Sequence, residues 1–485
     1  MTVSAASQLL SGTFSHVING KPYDHGGSAK MMDVLNPATE QAIAQVPVAT
    51  KEVLDEAVDA AHKAFASWSK TTWDERAKLV SAWGQDYRDM IPELAKLLTA
   101  EQGKSAMFAK LECDSILPWF DRLANCKLGE EVIYESETHR AVQRYVPLGV
   151  AGLICPWNFP ILLALWKVLQ GVLTGNCVVL KPSPFTPLCD IRIIESAQKH
   201  FPPGVVQIIV GDDSLGPWIT EHPRIQKISF TGSTATGRLV ARSCAATLKR
   251  FTLELGGNDP NVVLPEQDDL AHVAQQVALN AFFNSGQVCI ASKRIYVHED
   301  IYDQFSQAVA QAAQNLKVGP GDQEGVMFGP VNNKMQYNKV GEFFKDSQDK
   351  GHKFLTGGAP TDGAGYFYPL SVVDNPPEDS KIVQEEPFGP IVPLLKWKDE
   401  DDLIRRVNDS EWGLGAIVWG SNLERVERIA RQIESGTVWT NSQVELVPEV
   451  PFGGMKSSGI GAESGKQGLA SYCALQVLYL PKAKV

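Results

Sequence analysis

The sequence predicts an α/β protein whose first unit is a doubly wound parallel sheet. Two observations carry that prediction. Short apolar runs alternate with helix-length segments between residues 140 and 265, and the same alternation restarts after the Gly256-Gly257 pair. Two α/β domains with a boundary near residue 257 follow.

The elements justify this in order. Residues 51–68, "KEVLDEAVDAAHKAFASW", place apolar side chains at helical spacing and read as an amphipathic surface helix. Further helices are expected from about Trp73 to Met90 and near Ile91 to Gln102. Strands are expected at 149–155, 176–182, 204–211, 225–232 and 250–257, with helices near 160–173, 187–200, 214–221 and 235–247 between them. Beyond the boundary, strands at 261–264, 294–299, 391–397, 415–420 and 437–441 alternate with helices such as 268–284, 300–316 and 422–434. Residues 130–147 and 469–481 fit neither unit. Their partial alternation suits edge strands or an arm that pairs with another subunit.

Composition narrows the function. The 485 residues are 44% hydrophobic and 21% charged, an ordinary globular balance, and the net charge of −11 argues against a nucleic-acid partner. Eight cysteines without CxxC or other metal-type spacing give neither a disulfide framework nor a metal site. With no apolar run long enough to span a membrane and no basic-then-apolar leader at the N-terminus, the expectation is a cytoplasmic protein without a membrane partner.

Several strand ends carry residues able to do chemistry. Asn158 sits in "PWNFP", a rigid turn at the carboxyl end of a strand, where open α/β sheets bind ligands and where its amide would suit a developing oxyanion. Lys181 ends the next strand in "LKPSP". In "SFTGSTATG", Gly232 makes a turn and Ser233 caps the following helix, whose free N–H groups suit a pyrophosphate. Glu254 in "LELGG" ends an apolar strand that favours a raised, base-like pKa. Cys289 follows in "FNSGQVCIAS". Taken singly, each has a bland reading: an Asx turn, a solvated lysine, a capping carboxylate, a small buried hydrophobe. Their appearance in order at successive strand ends and domain junctions is what points to a site. Two glycine-rich stretches do not join it, because "GIGAESG" lacks a preceding strand and "GPGDQEG" reads as a loop.

Together, "PWNFP", "KPSP", "FTGST", "LELGG", "GQVC", "EEPFGP" and "PFGGMKSSG" resemble the non-acylating branch of the NAD(P)-dependent aldehyde dehydrogenase superfamily, end to end and in the family's order. The resemblance implies a Rossmann-like cofactor domain (1–125 and 148–257), a catalytic domain (258–457) and a small β oligomerisation hairpin (126–147 and 468–485). It also implies a homodimer or homotetramer.

It implies Cys289 as nucleophile, Asn158 with the Cys289 N–H as oxyanion donors, and Glu254 as the base that activates water against a thioester. Glu463 matches a carboxylate that relays protons to that base. Cofactor contacts carried over are Trp157, Lys181, Ser183, Pro184, Gly211, Gly232, Ser233, Leu255, Gly256, Glu386 and Phe388. One position departs from the pattern. Strict NAD users often carry Glu where this chain has Pro184, so the repulsion of a 2′-phosphate is gone and NAD use with NADP tolerated is expected.

Positions resembling the aldehyde tunnel are Phe159, Leu162, Leu163, Trp166, Phe283, Val288, Ile290, Leu446 and Phe452. All are apolar, and no Arg or Lys stands where relatives that take semialdehydes bind a carboxylate. The expected substrate is a small-molecule aldehyde, aromatic or medium-chain aliphatic, handled with broad specificity. The rival readings are a CoA-acylating dehydrogenase, against which Glu254 argues, a non-catalytic structural relative, and a cofactor-free thiol esterase.

Overall fold

The computed structural model describes residues 12–23, 29–359 and 363–482. Residues 1–11, 24–28, 360–362 and 483–485, including both ends of the domain spans expected above, lie outside the described residues.

Five parallel strands form the heart of the first sheet, in the order Val206–Ile208, Cys177–Lys181, Val150–Ile154, Ile225–Thr231, Arg250–Glu254. The chain enters at Val150–Ile154, winds outward to one side, then returns and winds outward to the other. The reversal lies between Val150–Ile154 and Ile225–Thr231, and ligands of such sheets bind outside the carboxyl ends there. Register levels those ends: Ile154 pairs with Lys181 and Phe230, and Thr231 pairs with Glu254. Antiparallel strands close the edges, His16–Ile18 beyond Val206–Ile208 and Gly459–Ile460 against Leu253 and Glu254.

A second sheet runs Phe354–Thr356, Ser371–Asp374, Ile391–Trp397, Arg294–His298, Pro260–Val263, Gly415–Trp419, Thr437–Thr440, parallel except at its first pair. The segments at 130–147 and 469–481 pair with each other instead. Cys473–Pro481 lies antiparallel to His139–Pro147, which pairs in turn with Glu131–Glu135. On this three-stranded sheet Val132, Tyr134, Leu475, Val477 and Tyr479 are exposed.

The helices follow their caps. Thr50 caps Lys51–Trp68, and Thr72 with Glu75 forms a capping box at the start of Trp73–Gln102. Where two helices were expected, one of 30 residues passes through Pro92. Pro92 removes a single ladder hydrogen bond, and burial of Ile91, Leu94, Leu97 and Leu98 outweighs it. Gly103 ends the helix at φ 96°, packed so closely that a Cβ would sit 2.6 Å from Pro37.

Other sequence expectations are trimmed. The strand placed over 204–211 is laddered only at Val206–Ile208, and the helix placed over 268–284 stops at Phe282. The helices Ala106–Ser115 and Lys334–Asp349 and the hairpin Met31–Asn36 with Gln41–Pro47 were not anticipated. Among the described residues no helix is long and apolar enough to cross a membrane.

Candidate active site

The turn after Val150–Ile154 places Asn158 in the interior, 3% exposed. One N–H of its amide donates to the Gln287 carbonyl at 3.0 Å, leaving the second N–H for another acceptor. The Asn158 backbone carbonyl accepts from Lys104 Nζ at 3.0 Å and Asn284 Nδ2 at 3.1 Å. Lys104 is itself paired with buried Glu112, whose Oε1 accepts from the Ile161 and Leu162 N–H groups at the start of Pro160–Leu173. A buried ion pair and a helix terminus thus fix the Asn158 turn.

Cys289 does not extend the preceding helix. After Leu270–Phe282 the backbone turns left-handed at Asn284 (φ 48°), Ser285 (φ 58°) and Gly286 (φ 73°). Gly286 lies against the Gly389 carbonyl, which a Cβ would meet at 2.2 Å. Ser285 Oγ donates to the Gly329 carbonyl at 2.7 Å, and Gln287 Oε1 accepts the Asn332 N–H at 2.9 Å. This loop presents Cys289, partly exposed, to a cavity of about 440 Å³ that Asn158, Glu254 and Glu463 also line. Burial pushes the Cys289 thiol up to about 12; Asp259, Glu386 and Glu254 add to that and Lys293 opposes it.

Glu254 is 5% exposed and neither carboxylate oxygen has a hydrogen-bond partner among the described residues. Burial, with the negative charge of Glu463, holds its carboxyl well above the usual range. Glu463 is the opposite case. Burial pushes it up, but Lys167, Ser229 and Lys227 outweigh that and leave it lowered. Its Oε1 accepts from Lys167 Nζ at 2.7 Å and its Oε2 from Gln170. Glu254 and Glu463 share no direct hydrogen bond.

All nine expected tunnel positions line this cavity. The wall formed by Phe108, Leu111 and Trp119, and the face made by Gln276 and Leu279 with Gln443 and Val444, escaped the sequence reading. The 276–279–283 spacing of that second face was a signal available in the sequence. Of the charged lining groups, Glu112, Lys167 and Glu463 are ion-paired within the protein, and Glu254 alone is not.

Another group of candidates lies around the carboxyl ends of the first sheet. Ser233 caps Thr234–Ala245 by accepting from the Thr236 N–H at 3.2 Å. Gly232 donates to the Glu254 carbonyl at 3.0 Å. Lys181, 6% exposed, donates to the Pro182 carbonyl at 3.3 Å and, among the described residues, has no carboxylate within ion-pair distance; burial lowers its pKa. Ser183 is buried beside it, Pro184 half-buried, and Gly211 packs on Leu215. The rings of Trp157 and Phe388 meet edge to face at 5.5 Å. Leu255 packs under Gly237, and Gly256 faces Glu386 so closely that a Cβ would lie 2.6 Å from Oε2. Glu386 Oε1 accepts from the Gly257 N–H at 3.1 Å and pairs with Lys293 at 3.3 Å. A capped helix start, a buried lysine with no counter-ion and a carboxylate beside bare glycine backbone fit the phosphates and ribose hydroxyls of a dinucleotide.

The sequence profile described as the aldehyde dehydrogenase family matches residues 24–478. An aldehyde dehydrogenase from a Fusarium species is 39% identical over 472 residues, covering 97% of this chain and 99% of that protein. The structure of an aldehyde dehydrogenase from Bacillus cereus in its NAD+ complex superimposes with a TM-score of 0.96 at 33% identity, covering 99% of each chain. An NADP-dependent enzyme of E. coli superimposes with a TM-score of 0.94 at 32% identity, over 97% of this chain and 98% of that one.

Proposed function

The chain belongs to the aldehyde dehydrogenase family and is an enzyme, and from that premise we propose that it oxidises an aromatic or medium-chain aliphatic aldehyde to its carboxylic acid with NAD+, tolerating NADP+. The observation that carries the proposal is the convergence of Cys289, Asn158 and Glu254 on one largely apolar cavity.

The Cys289 thiolate adds to the aldehyde carbon, forming a C–S bond while the carbonyl π pair moves to oxygen. That oxyanion takes the free N–H of Asn158 and the backbone N–H of Cys289. Bound here, a nicotinamide dinucleotide would supply the hydride acceptor that conversion of the thiohemiacetal to a thioester needs and that the chain's own side chains lack. Trp157, Lys181, Ser183, Ser233, Glu386 and Phe388 would hold the dinucleotide, and Pro184 leaves room beside Lys181 for a 2′-phosphate. The resulting thioester is cleaved by water that gives a proton to Glu254, and the thiolate leaves. Glu254 has both oxygens unengaged for that water, which favours hydrolysis over transfer to CoA. Glu463, held ionised by Lys167, makes the neighbouring Glu254 a stronger proton acceptor.

The apolar tunnel, with no unpaired cation among its lining groups, supports an uncharged substrate. The test is reduced-nicotinamide formation with benzaldehyde, phenylacetaldehyde and hexanal, under NAD+ and then NADP+, for wild type and Cys289→Ala. Turnover lost in the variant is expected. Equal turnover in both proteins, or none with any aldehyde in the wild type, would refute the proposal.

A further inference from the structure

Four residues beyond Cys289 in the chain, Lys293 is 3% exposed. Its ammonium donates to the Cys289 carbonyl at 2.5 Å and lies 3.3 Å from Glu386 Oε1. Its backbone N–H donates to the Asp259 carbonyl at 3.0 Å. The reaction described above assigns it no part. A buried ammonium is costly unless it is paired, so its place demands a reason.

We propose that Lys293 is a positioning residue that joins the Cys289 loop to Glu386 and supplies the positive charge that eases formation of the Cys289 thiolate. The geometry supports both halves. One oxygen of Glu386 is shared between Lys293 and the Gly257 N–H, so the lysine ties the carboxylate that faces Gly256 to the carbonyl of the nucleophile itself. Around the thiol the other ionisable neighbours, Asp259, Glu386 and Glu254, are acids. All three raise the thiol as anions, and Lys293 is the one group among them that draws it down. Asp259 itself is buried, pushed up to about 7 by that burial while Lys293 pulls it back, so one lysine bears on the thiol, Glu386 and Asp259 together. A mobile surface lysine would be screened by water; this one is not.

The inference rests on the reading of Cys289 as nucleophile, and its test is independent of turnover. Iodoacetamide alkylates a thiolate with loss of iodide, and mass spectrometry of the Cys289 peptide follows it as a function of pH. At pH 8, Lys293→Met and Lys293→Gln are expected to slow alkylation by roughly fivefold or more and to move the midpoint of the pH profile upward. Lys293→Arg should stay within about twofold of wild type, because it keeps the charge. A general packing defect would not move the midpoint in this charge-dependent order.

Profiles of folded Met and Gln variants that superimpose on wild type would overturn the proposal. Should both variants fail to fold, Lys293→Met combined with Glu386→Gln, which removes the buried pair together, is expected to be alkylated more slowly than Glu386→Gln alone, and equal rates in those two proteins overturn it as well. Alkylation needs neither aldehyde nor nucleotide. A missing shift therefore refutes the role of Lys293 alone, whereas a normal shift without turnover refutes the proposed reaction alone.

Discussion

Glu254 and Glu463 line the same cavity, and the protein drives them in opposite directions. Among the described residues Glu254 accepts no hydrogen bond, and burial holds it well up; Glu463 accepts from Lys167, Gln170 and Ser229 and is held down. Two carboxylates pushed apart in this way divide their labour: one exchanges protons and the other stays charged.

Glu254→Gln should therefore spare the acylation half of the reaction. Rapid mixing is expected to show a burst of about one reduced nicotinamide per site, followed by steady turnover some 10²- to 10⁴-fold below wild type. The sign of the pH effect is fixed by the direction of the shift. A base raised by burial is protonated at low pH, so wild-type deacylation should climb as pH rises through that raised value, and the variant should lose the climb. A wild-type thioester-hydrolysis rate that is flat with pH would rule Glu254 out as the base.

Asn158→Ala removes the donor that faces the oxyanion and keeps the thiol. A fall in kcat of about 10²- to 10³-fold is expected, with Cys289 alkylation retained. Loss of alkylation alongside turnover would mean instead that the substitution had disordered the Lys104–Glu112 pair and the loop that depends on it.

Pro184 tests cofactor choice. Pro184→Glu should cut kcat/KM for NADP+ by roughly tenfold or more while leaving NAD+ within about threefold, since a carboxylate repels a 2′-phosphate and accepts from a 2′-hydroxyl. Equal losses for both nucleotides would show that the position shapes the pocket without reading the phosphate.

The arm tests assembly. Leu475, Val477 and Tyr479 are 58%, 50% and 61% exposed on a three-stranded sheet, an apolar edge that a lone chain seldom leaves bare. Light scattering is expected to give twice the chain mass or more for wild type, and a lower mass for Leu475→Lys with Val477→Asp. A monomeric wild type would dismiss the arm as an interface.

The sequence made the chemistry more legible than its support. Asn158, Glu254 and Cys289 each stand next to a structure-breaking signal, a proline pair, a glycine pair or the end of a helix, so their places on strand ends and a loop were readable locally. The parallel, doubly wound character of the first sheet followed from the alternation of runs; its strand order did not. What holds those residues was not readable. Lys104 and Glu112 reach Asn158 across some 50 positions, and Lys167 meets Glu463 across 296, and one sequence shows no such pairings. Lys293 stood within sight of the nucleophile, yet its role depends on Glu386, 93 residues on, being folded against it. The break expected between Met90 and Ile91 is absent, because burial of the helix face around it outweighs the local cost of Pro92.

The left-handed run Asn284–Ser285–Gly286 has a consequence for how such a protein diverges. It sets the place of Cys289 by backbone torsion and by glycine contact with Gly389, and Phe159, Leu446 and Phe452, which lie elsewhere in the chain, form no part of the run. Substitution at Phe159, Leu446 or Phe452 is therefore expected to change which aldehydes are turned over while leaving the rate of Cys289 alkylation as in the wild type. Insertion or deletion of a single residue between 283 and 289 is expected to abolish turnover, because it breaks the torsions and the glycine contact that place Cys289.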